Sequence, residues 1–144
     1  MTTAILGVPM LEAMHFPGMR EFMLRSGEEA LELGLLQGYD VSSIFGLKSE
    51  DVADREKVVE RLLDTVMSGF VLPETTTTVL QDWQKGGRRE IDDLNGLVVD
   101  RPALAGRNAL ANQAIVRIAN KIEERQAIPS LRNMQVLLNE AMQP

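Results

Sequence analysis

The stretch Val58-Val-Glu-Arg-Leu-Leu-Asp-Thr-Val-Met-Ser-Gly-Phe70 decides the fold class of this chain. Its apolar residues recur three and four positions apart, which is the spacing of one face of an α-helix, and its charged residues occupy the opposite face. Gly69 and Pro73 end the pattern. The stretch therefore predicts an amphipathic helix that buries one face against the rest of the molecule.

Helical patterns of the same kind continue on both sides of this stretch. One begins at Pro17, a residue suited to a first helical position, and ends between Gly34 and Asp40. Residues 40–52 read as a polar connector. Four further helices are predicted: Val79–Gln84 closed by Gly86-Gly87, Glu90–Val99, the apolar stripe Ala111–Ile122, and a last helix that opens at Pro129. No window alternates with the period of a strand, and no linker divides the chain, so we predict one all-α domain over residues 1–144.

Composition narrows the possible functions. The net charge of −6 disfavours a nucleic-acid surface, which would need clustered Lys and Arg. The absence of cysteine excludes disulfides and thiolate metal sites, and His15 is the single histidine, so we expect no metal site. No apolar run approaches the roughly 18 residues of a membrane span, and the start lacks the pattern of a signal peptide. We therefore expect a cytoplasmic protein that binds neither nucleic acid nor membrane.

The corner Thr78–Gly96 carries most of the candidate chemistry. Thr78 and Gln81 fit a capping box, in which the hydroxyl accepts a hydrogen bond from the third helical amide. The same hydroxyl is also a candidate ligand contact, because a helix N-terminus attracts carboxylates. Both interpretations of Thr78 remain open from the residues alone.

The second half of the corner holds one acid and a basic turn. Glu90 lies in the first turn of its predicted helix, where the macrodipole favours a negative charge. Lys85, Arg88 and Arg89 form either a solvated turn or a phosphate contact, for which the planar fork of arginine is well suited. The sequence contains no Gly-x-Gly-x-x-Gly, Walker loop or nucleophile elbow.

Residues 78–112 resemble the C-terminal helical domain of ketopantoate reductases (2-dehydropantoate 2-reductases). Members carry Ser-Met-Leu-Gln-Asp, a basic turn, Glu-Ile-Asp-x-Leu-Asn-Gly, and then Gly-x-x-x-Pro-x-Asn. The three corresponding segments here are Thr78–Asp82, Glu90–Gly96 and Gly106–Asn112, and Thr2–Pro9 resembles the stretch that follows the first helix of that domain. The resemblance implies the helical fold of 6-phosphogluconate-dehydrogenase-like C-terminal domains, without a Rossmann domain.

The resemblance also implies roles for individual residues. Thr78 stands where the family has a serine that hydrogen-bonds the substrate, and Glu90 matches the glutamate that holds the substrate hydroxyl. Arg88 and Arg89 become candidate cofactor contacts. The family's proton-donating lysine and the asparagines that follow it would lie upstream of Met1, so we expect no catalytic residue in this chain.

The implied enzyme reduces a 2-keto acid with NADPH in pantothenate biosynthesis. We expect this chain to be its substrate-binding and homodimerising half, inactive without the Rossmann domain and unable to bind NADPH tightly alone. Threonine in place of serine and Leu110 in place of proline depart from the family pattern, so the keto acid stays open. The alternative is a non-enzymatic helical interaction module descended from such a domain.

Overall fold

A computed structural model describes residues 1–86, 91–100 and 108–141. Over these ranges every regular element is helical, and no strand occurs, which confirms the all-α prediction. The elements are α1 (Thr2–Leu6), α2 (Met10–Ala13), α3 (Met19–Leu36), α4 (Ser49–Ala53), α5 (Val58–Gly69), α6 (Thr78–Lys85), a π-helical segment (Asp92–Gly96), α7 (Leu97–Asp100), α8 (Leu110–Glu123) and α9 (Asn133–Ala141).

Helix α8 lies at the centre of the core. It packs against α1, α3, α9 and the π-helical segment. Seven of its residues are buried: Ala111, Asn112, Ala114, Ile115, Ile118, Ala119 and Ile122. The stripe seen in the sequence is therefore the buried face of this helix, as its spacing predicts. Helix α1 is short but is buried along its whole length.

Helices α3 and α5 pack together through a glycine and an arginine. A Cβ placed on Gly27 of α3 would lie 2.6 Å from Cγ1 of Val59, so the missing side chain allows the two helices to approach closely. Nearby, Arg20 of α3 forms ion pairs with Glu60 and Asp64 of α5, each at 3.0 Å. The amphipathic stretch that decides the fold class thus packs against the longest helix.

Two predicted helix starts are wrong. Helix α3 begins at Met19 and not at Pro17, because Gly18 takes a left-handed conformation with φ 82° and breaks the helix. Helix α9 begins at Asn133 and not at Pro129. The backbone N–H of Ser130 donates to the carbonyl of Ile5 at 3.0 Å, so the segment before α9 holds the end of α1 and does not continue the helix.

The connector between α3 and α5 contains more structure than its polar composition predicts. Helix α4 lies at its end, and the carboxylate of Asp51 accepts a hydrogen bond from the N–H of Lys48 at 3.0 Å. Arg61 of α5 pairs with Asp54 at 3.2 Å and donates to the carbonyl of Asp51 at 3.1 Å. These contacts fasten α4 to α5.

Candidate functional site

The threonine run ends in the cap of α6, one residue earlier than the sequence predicts. Thr77 is the N-cap, and its hydroxyl accepts a hydrogen bond from the N–H of Leu80 at 3.4 Å. Gln81 donates to the hydroxyl of Thr76 at 3.2 Å. The capping box proposed for Thr78 and Gln81 is therefore wrong, because Thr77 is the residue that caps the helix and the Gln81 side chain donates to Thr76.

Thr78 is consequently available for another role. It is the first residue of α6, its side chain is exposed, and its hydroxyl makes no hydrogen bond to a described residue. The exposed N-terminus of a helix presents unpaired amides and a partial positive charge. A hydroxyl at this position can join those amides in binding a carboxylate.

Hydrogen bonds on both sides hold the threonine run in place. The hydroxyl of Thr75 accepts from the N–H of Leu72 at 2.9 Å. Its carbonyl accepts from the N–H of Met10, the first residue of α2, at 3.0 Å. The entry to α6 is thus fixed both by a local turn and by a distant helix.

The far end of α6 is fastened to α8. The indole Nε1 of Trp83 donates to the carboxylate of Glu123 at 3.1 Å, and the ring packs against the main core. Gly86 ends the helix in a left-handed conformation with φ 72°. Lys85 is exposed in the last turn, where its charge interacts favourably with the helix dipole. Both ends of helix α6 are therefore held in place, and its first residue, Thr78, remains exposed.

Three of the predicted site residues, Glu90, Arg88 and Arg89, lie outside the described residues. The structure resumes at Ile91, whose side chain is 0% exposed. Directly after it, the second family-like motif forms the π-helical segment Asp92–Gly96 and not the continuous α-helix expected over Glu90–Val99. Single π-helical turns are rare, and those that occur are often located at functional sites.

A hydrogen-bonded pair of asparagines, of which Asn112 is buried, connects the two motifs of the resemblance. The Nδ2 of Asn95 in the π-helical segment donates to the Oδ1 of Asn112 in α8 at 2.7 Å. Each residue is the asparagine of its own motif, and 17 positions separate them in the sequence. The sequence assigned no role to either side chain, although their shared presence in the motifs was a usable signal.

Glu29 of α3 completes this network by capping α8 from a distance. Its carboxylate accepts from the N–H of Ala111 and from the N–H of Asn112, both at 2.9 Å. These are two of the orphan amides of the first turn of α8, which lacks a side-chain cap from its own N-cap residue. Leu110 occupies the first position of this helix, where proline is favoured, so its replacement of the family's proline leaves the helix start intact.

The remaining chemistry of the described residues is sparse. They contain no group of three or more His, Cys, Asp or Glu side chains arranged to hold a metal ion. None of the described helices combines the length and the apolar character needed to cross a bilayer. Burial lowers the pKa of the Met1 amino group, because the surroundings of α1 disfavour its charged form.

Comparison with protein families gives a match over most of the chain. The family model described as ketopantoate reductase PanE/ApbA C terminal matches residues 1–123, which is most of the chain. No curated protein and no solved structure matches significantly. The matched range includes α1 to α8 and the whole of the corner Thr78–Gly96, whereas α9 lies beyond it.

Proposed function

The chain belongs to the ketopantoate reductase C-terminal domain family, and from this premise we propose that it forms the substrate-binding half of a 2-dehydropantoate 2-reductase-like oxidoreductase. The substrate would be ketopantoate or a related 2-keto acid. The proposal includes residues 1–144 as one domain. It rests on one observation above all: the exposed hydroxyl of Thr78 at the N-terminus of α6, which makes no hydrogen bond to any residue that the structure describes.

The chemistry of a hydroxylated keto acid suits this corner. Its carboxylate would bind to the amides at the start of α6 and to the hydroxyl of Thr78. Glu90, in the first motif position before the π-helical segment, would accept a hydrogen bond from the substrate hydroxyl. The two residues would thus hold the substrate at both ends and leave its keto carbon accessible from outside this domain.

The proposal assigns substrate binding to this chain and not hydride transfer. NADPH supplies hydride in the complete enzyme of this family, and no Gly-x-Gly-x-x-Gly segment for binding it occurs in the sequence. Arg88 and Arg89, which are near Lys85 in the sequence, are proposed as residues of this domain that contact NADPH. The proton donor and the dinucleotide fold would come from an N-terminal domain.

Exposed apolar side chains support self-association. The rings of Phe45 and Phe70 meet edge to face with centroids 5.1 Å apart, yet the two residues remain 49% and 56% exposed. Leu72, two positions further along the chain, is 72% exposed. Apolar side chains grouped in this way favour contact with another protein surface. We propose a homodimer, and sedimentation equilibrium measures it directly.

The reaction assay joins this chain to the upstream half of a ketopantoate reductase. Thr78→Ser should keep turnover, whereas Thr78→Val, which preserves shape and removes the hydroxyl, should weaken kcat/KM by about tenfold or more, since a hydrogen bond to a charged group contributes roughly 1.5–3 kcal/mol. Glu90→Ala should lower kcat/KM at least as much.

Thr77→Val is the matched control for this experiment. It removes the cap of α6 and should lower stability by about 0.5–2 kcal/mol, while kcat/KM of the folded enzyme stays near that of the parent. Equal kcat/KM for Thr78→Val, Glu90→Ala and the parent would contradict substrate binding at this corner. That result would favour the non-enzymatic interaction module.

A further inference from the structure

A small pocket is formed by the segment between α3 and α5, which the proposed function does not use. Its volume is about 310 Å³, at the lower end of the range for sites that bind small molecules. Six residues line it: Asp40, Val41, Ser49, Val52, Ala53 and Arg55. For most of this segment the sequence predicted only a polar connector, so the pocket gives it a candidate function.

Contacts at both ends of the segment hold the pocket in shape. At one end, the N–H of Tyr39 donates to the carbonyl of Gly34 at 3.0 Å and closes the end of α3 directly before Asp40. At the other end, Arg61 of α5 pairs with Asp54 at 3.2 Å, directly after α4. A site that is formed before binding loses less conformational entropy than one that the ligand must order.

The pocket carries one charge of each sign. Nη2 of Arg55 donates to Oδ1 of Asp40 at 3.3 Å. The two side chains are 59% and 89% exposed, so water competes with this ion pair and the pair is weak. The second carboxylate oxygen and the other guanidinium N–H groups make no hydrogen bond to a described residue. A ligand with two opposite charges can therefore bind both side chains at once.

The rest of the lining is aliphatic apart from one hydroxyl. Val41 and Val52 are half-buried, and Ala53 adds a methyl group. Removing a short hydrocarbon chain from water against this surface is favourable. The hydroxyl of Ser49 makes no hydrogen bond to a described residue and offers both a donor and an acceptor. The lining thus combines an acid, a base and an apolar surface.

We propose that this pocket binds a free aliphatic α-amino acid. The carboxylate of the ligand binds the guanidinium of Arg55, and its ammonium group binds the carboxylate of Asp40. The aliphatic side chain of the ligand packs on Val41 and Val52. A carboxylic acid without the amine would be repelled by Asp40, and an amine without the acid would be repelled by Arg55. The site lies outside the corner Thr78–Gly96, and the inference does not rest on the proposed function.

The test titrates the whole 144-residue chain, labelled with ¹⁵N, with L-leucine. The backbone amide signals of the lining residues should shift saturably, with a dissociation constant on the order of 1 mM, because each exposed charge contributes little. Two analogues with the same carbon branching each lack one charge: 4-methylpentanoate has no ammonium group, and 3-methylbutylamine has no carboxylate. Each analogue should bind about fivefold more weakly than L-leucine, the upper end for an exposed ion pair.

Two variants test the two contacts separately. Asp40→Asn should remove the preference for L-leucine over 4-methylpentanoate, because the ammonium group loses its partner. Arg55→Gln should remove the preference for L-leucine over 3-methylbutylamine, because the carboxylate loses its partner. The matched control is Arg132→Gln, which removes an exposed positive charge next to α9 and should leave L-leucine affinity within about twofold of the parent.

Saturable binding of L-leucine, with these two changes in preference, supports the proposal. Absence of saturable shifts at the lining residues overturns it, as does equal binding of L-leucine and either analogue by the parent. Unchanged preferences in Asp40→Asn and Arg55→Gln also overturn it. Equal weakening in Arg132→Gln has the same consequence, because net charge and not the pocket would then explain the effect of Arg55→Gln.

Discussion

Glu29 shows how a single carboxylate can organise a helix that begins far along the chain. It accepts three hydrogen bonds, from the N–H of Ala111, the N–H of Asn112 and the Nδ2 of Asn112. Its side chain is 12% exposed, so water does not readily replace these partners. The start of α8 and the amide network thus depend on the same two oxygens.

Glu29→Gln should therefore destabilise the protein by about 2–3 kcal/mol, because the amide has one oxygen for three donors and hydrogen bonds to charged groups contribute about 1.5–3 kcal/mol. Urea denaturation measures the change. Glu28→Gln, on the exposed neighbouring residue, is the control and should change stability by less than about 0.5 kcal/mol. If the two substitutions had equal effects, Glu29 would not be the cap of α8.

For a chain that starts at Met1, we predict that stability depends on pH through the Met1 amino group. Burial holds its pKa in the folded state below the ordinary value of 8.0, so the unfolded chain binds more protons between these two values. Stability should therefore rise with pH across this window and level off above about pH 8. Amino-terminal acetylation removes the titration, so the slope of stability against pH should become flatter. The same slope with and without acetylation would contradict the prediction.

At the residue scale, the sequence predicted where the helix of the corner starts better than it predicted which hydrogen bonds its residues make. Thr78 was recognised as a helix-start residue, but the capping function belongs to Thr77, since hydrogen-bond geometry distinguishes neighbouring threonines and composition does not. The Asn95–Asn112 pair was not predicted, because its partners come from different elements and meet only after packing. The roles of Thr78, Glu90, Arg88 and Arg89 stay predictions.

At the scale of elements, α3 offers two glycines in contrasting surroundings. A Cβ added to Gly27 would lie 2.6 Å from the Val59 side chain of α5, whereas one added to Gly34 would meet nothing within 4 Å. Because Val59 is β-branched, its methyl group cannot turn away freely.

Gly27→Ala should therefore cost about 1–3 kcal/mol through overpacking, despite the better helix propensity of alanine. Gly34→Ala on the same helix should stabilise by up to about 1 kcal/mol, because it gains propensity without a clash. Thermal unfolding followed by circular dichroism measures both changes. A stabilising Gly27→Ala would show that α3 and α5 are not packed as closely as described.

Long, periodic helices were predictable because their pattern repeats over several turns, as in α3, α5 and α8. Helices α1 and α2 have five and four residues, too few for a period to emerge, and they depend on burial and not on propensity. The π-helical segment was predicted as α-helix, since both geometries place apolar residues at similar intervals.

At the scale of the whole molecule, α9 belongs to the same core as the family-matched region. Met134, Leu137 and Ala141 lie in the main cluster with residues of α1 and α8. The family match ends at residue 123, before this helix begins. Sequence patterns predicted a final helix, but which helices it contacts depends on the tertiary arrangement and is not encoded in its period.

Leu137→Ala should accordingly destabilise the whole domain by about 2–5 kcal/mol, the usual cost of a cavity in a packed core. Leu137 is 0% exposed, whereas its neighbour Val136 is 40% exposed. Val136→Ala should change stability by no more than about 0.5 kcal/mol. Urea unfolding of both variants decides the matter: an equally small effect of Leu137→Ala would mean that α9 is not part of the cooperative core.

The hydrogen bond between Trp83 and Glu123 has an optical consequence. Trp83 is the single tryptophan in the sequence, and its indole lies on α6 against a carboxylate of α8. Any event that moves the two helices relative to one another changes the polarity around this ring, and hence the wavelength and intensity of its emission. The protein thus carries an intrinsic fluorophore on the same helix as Thr78, whose emission can test the proposed substrate binding at the corner without any label.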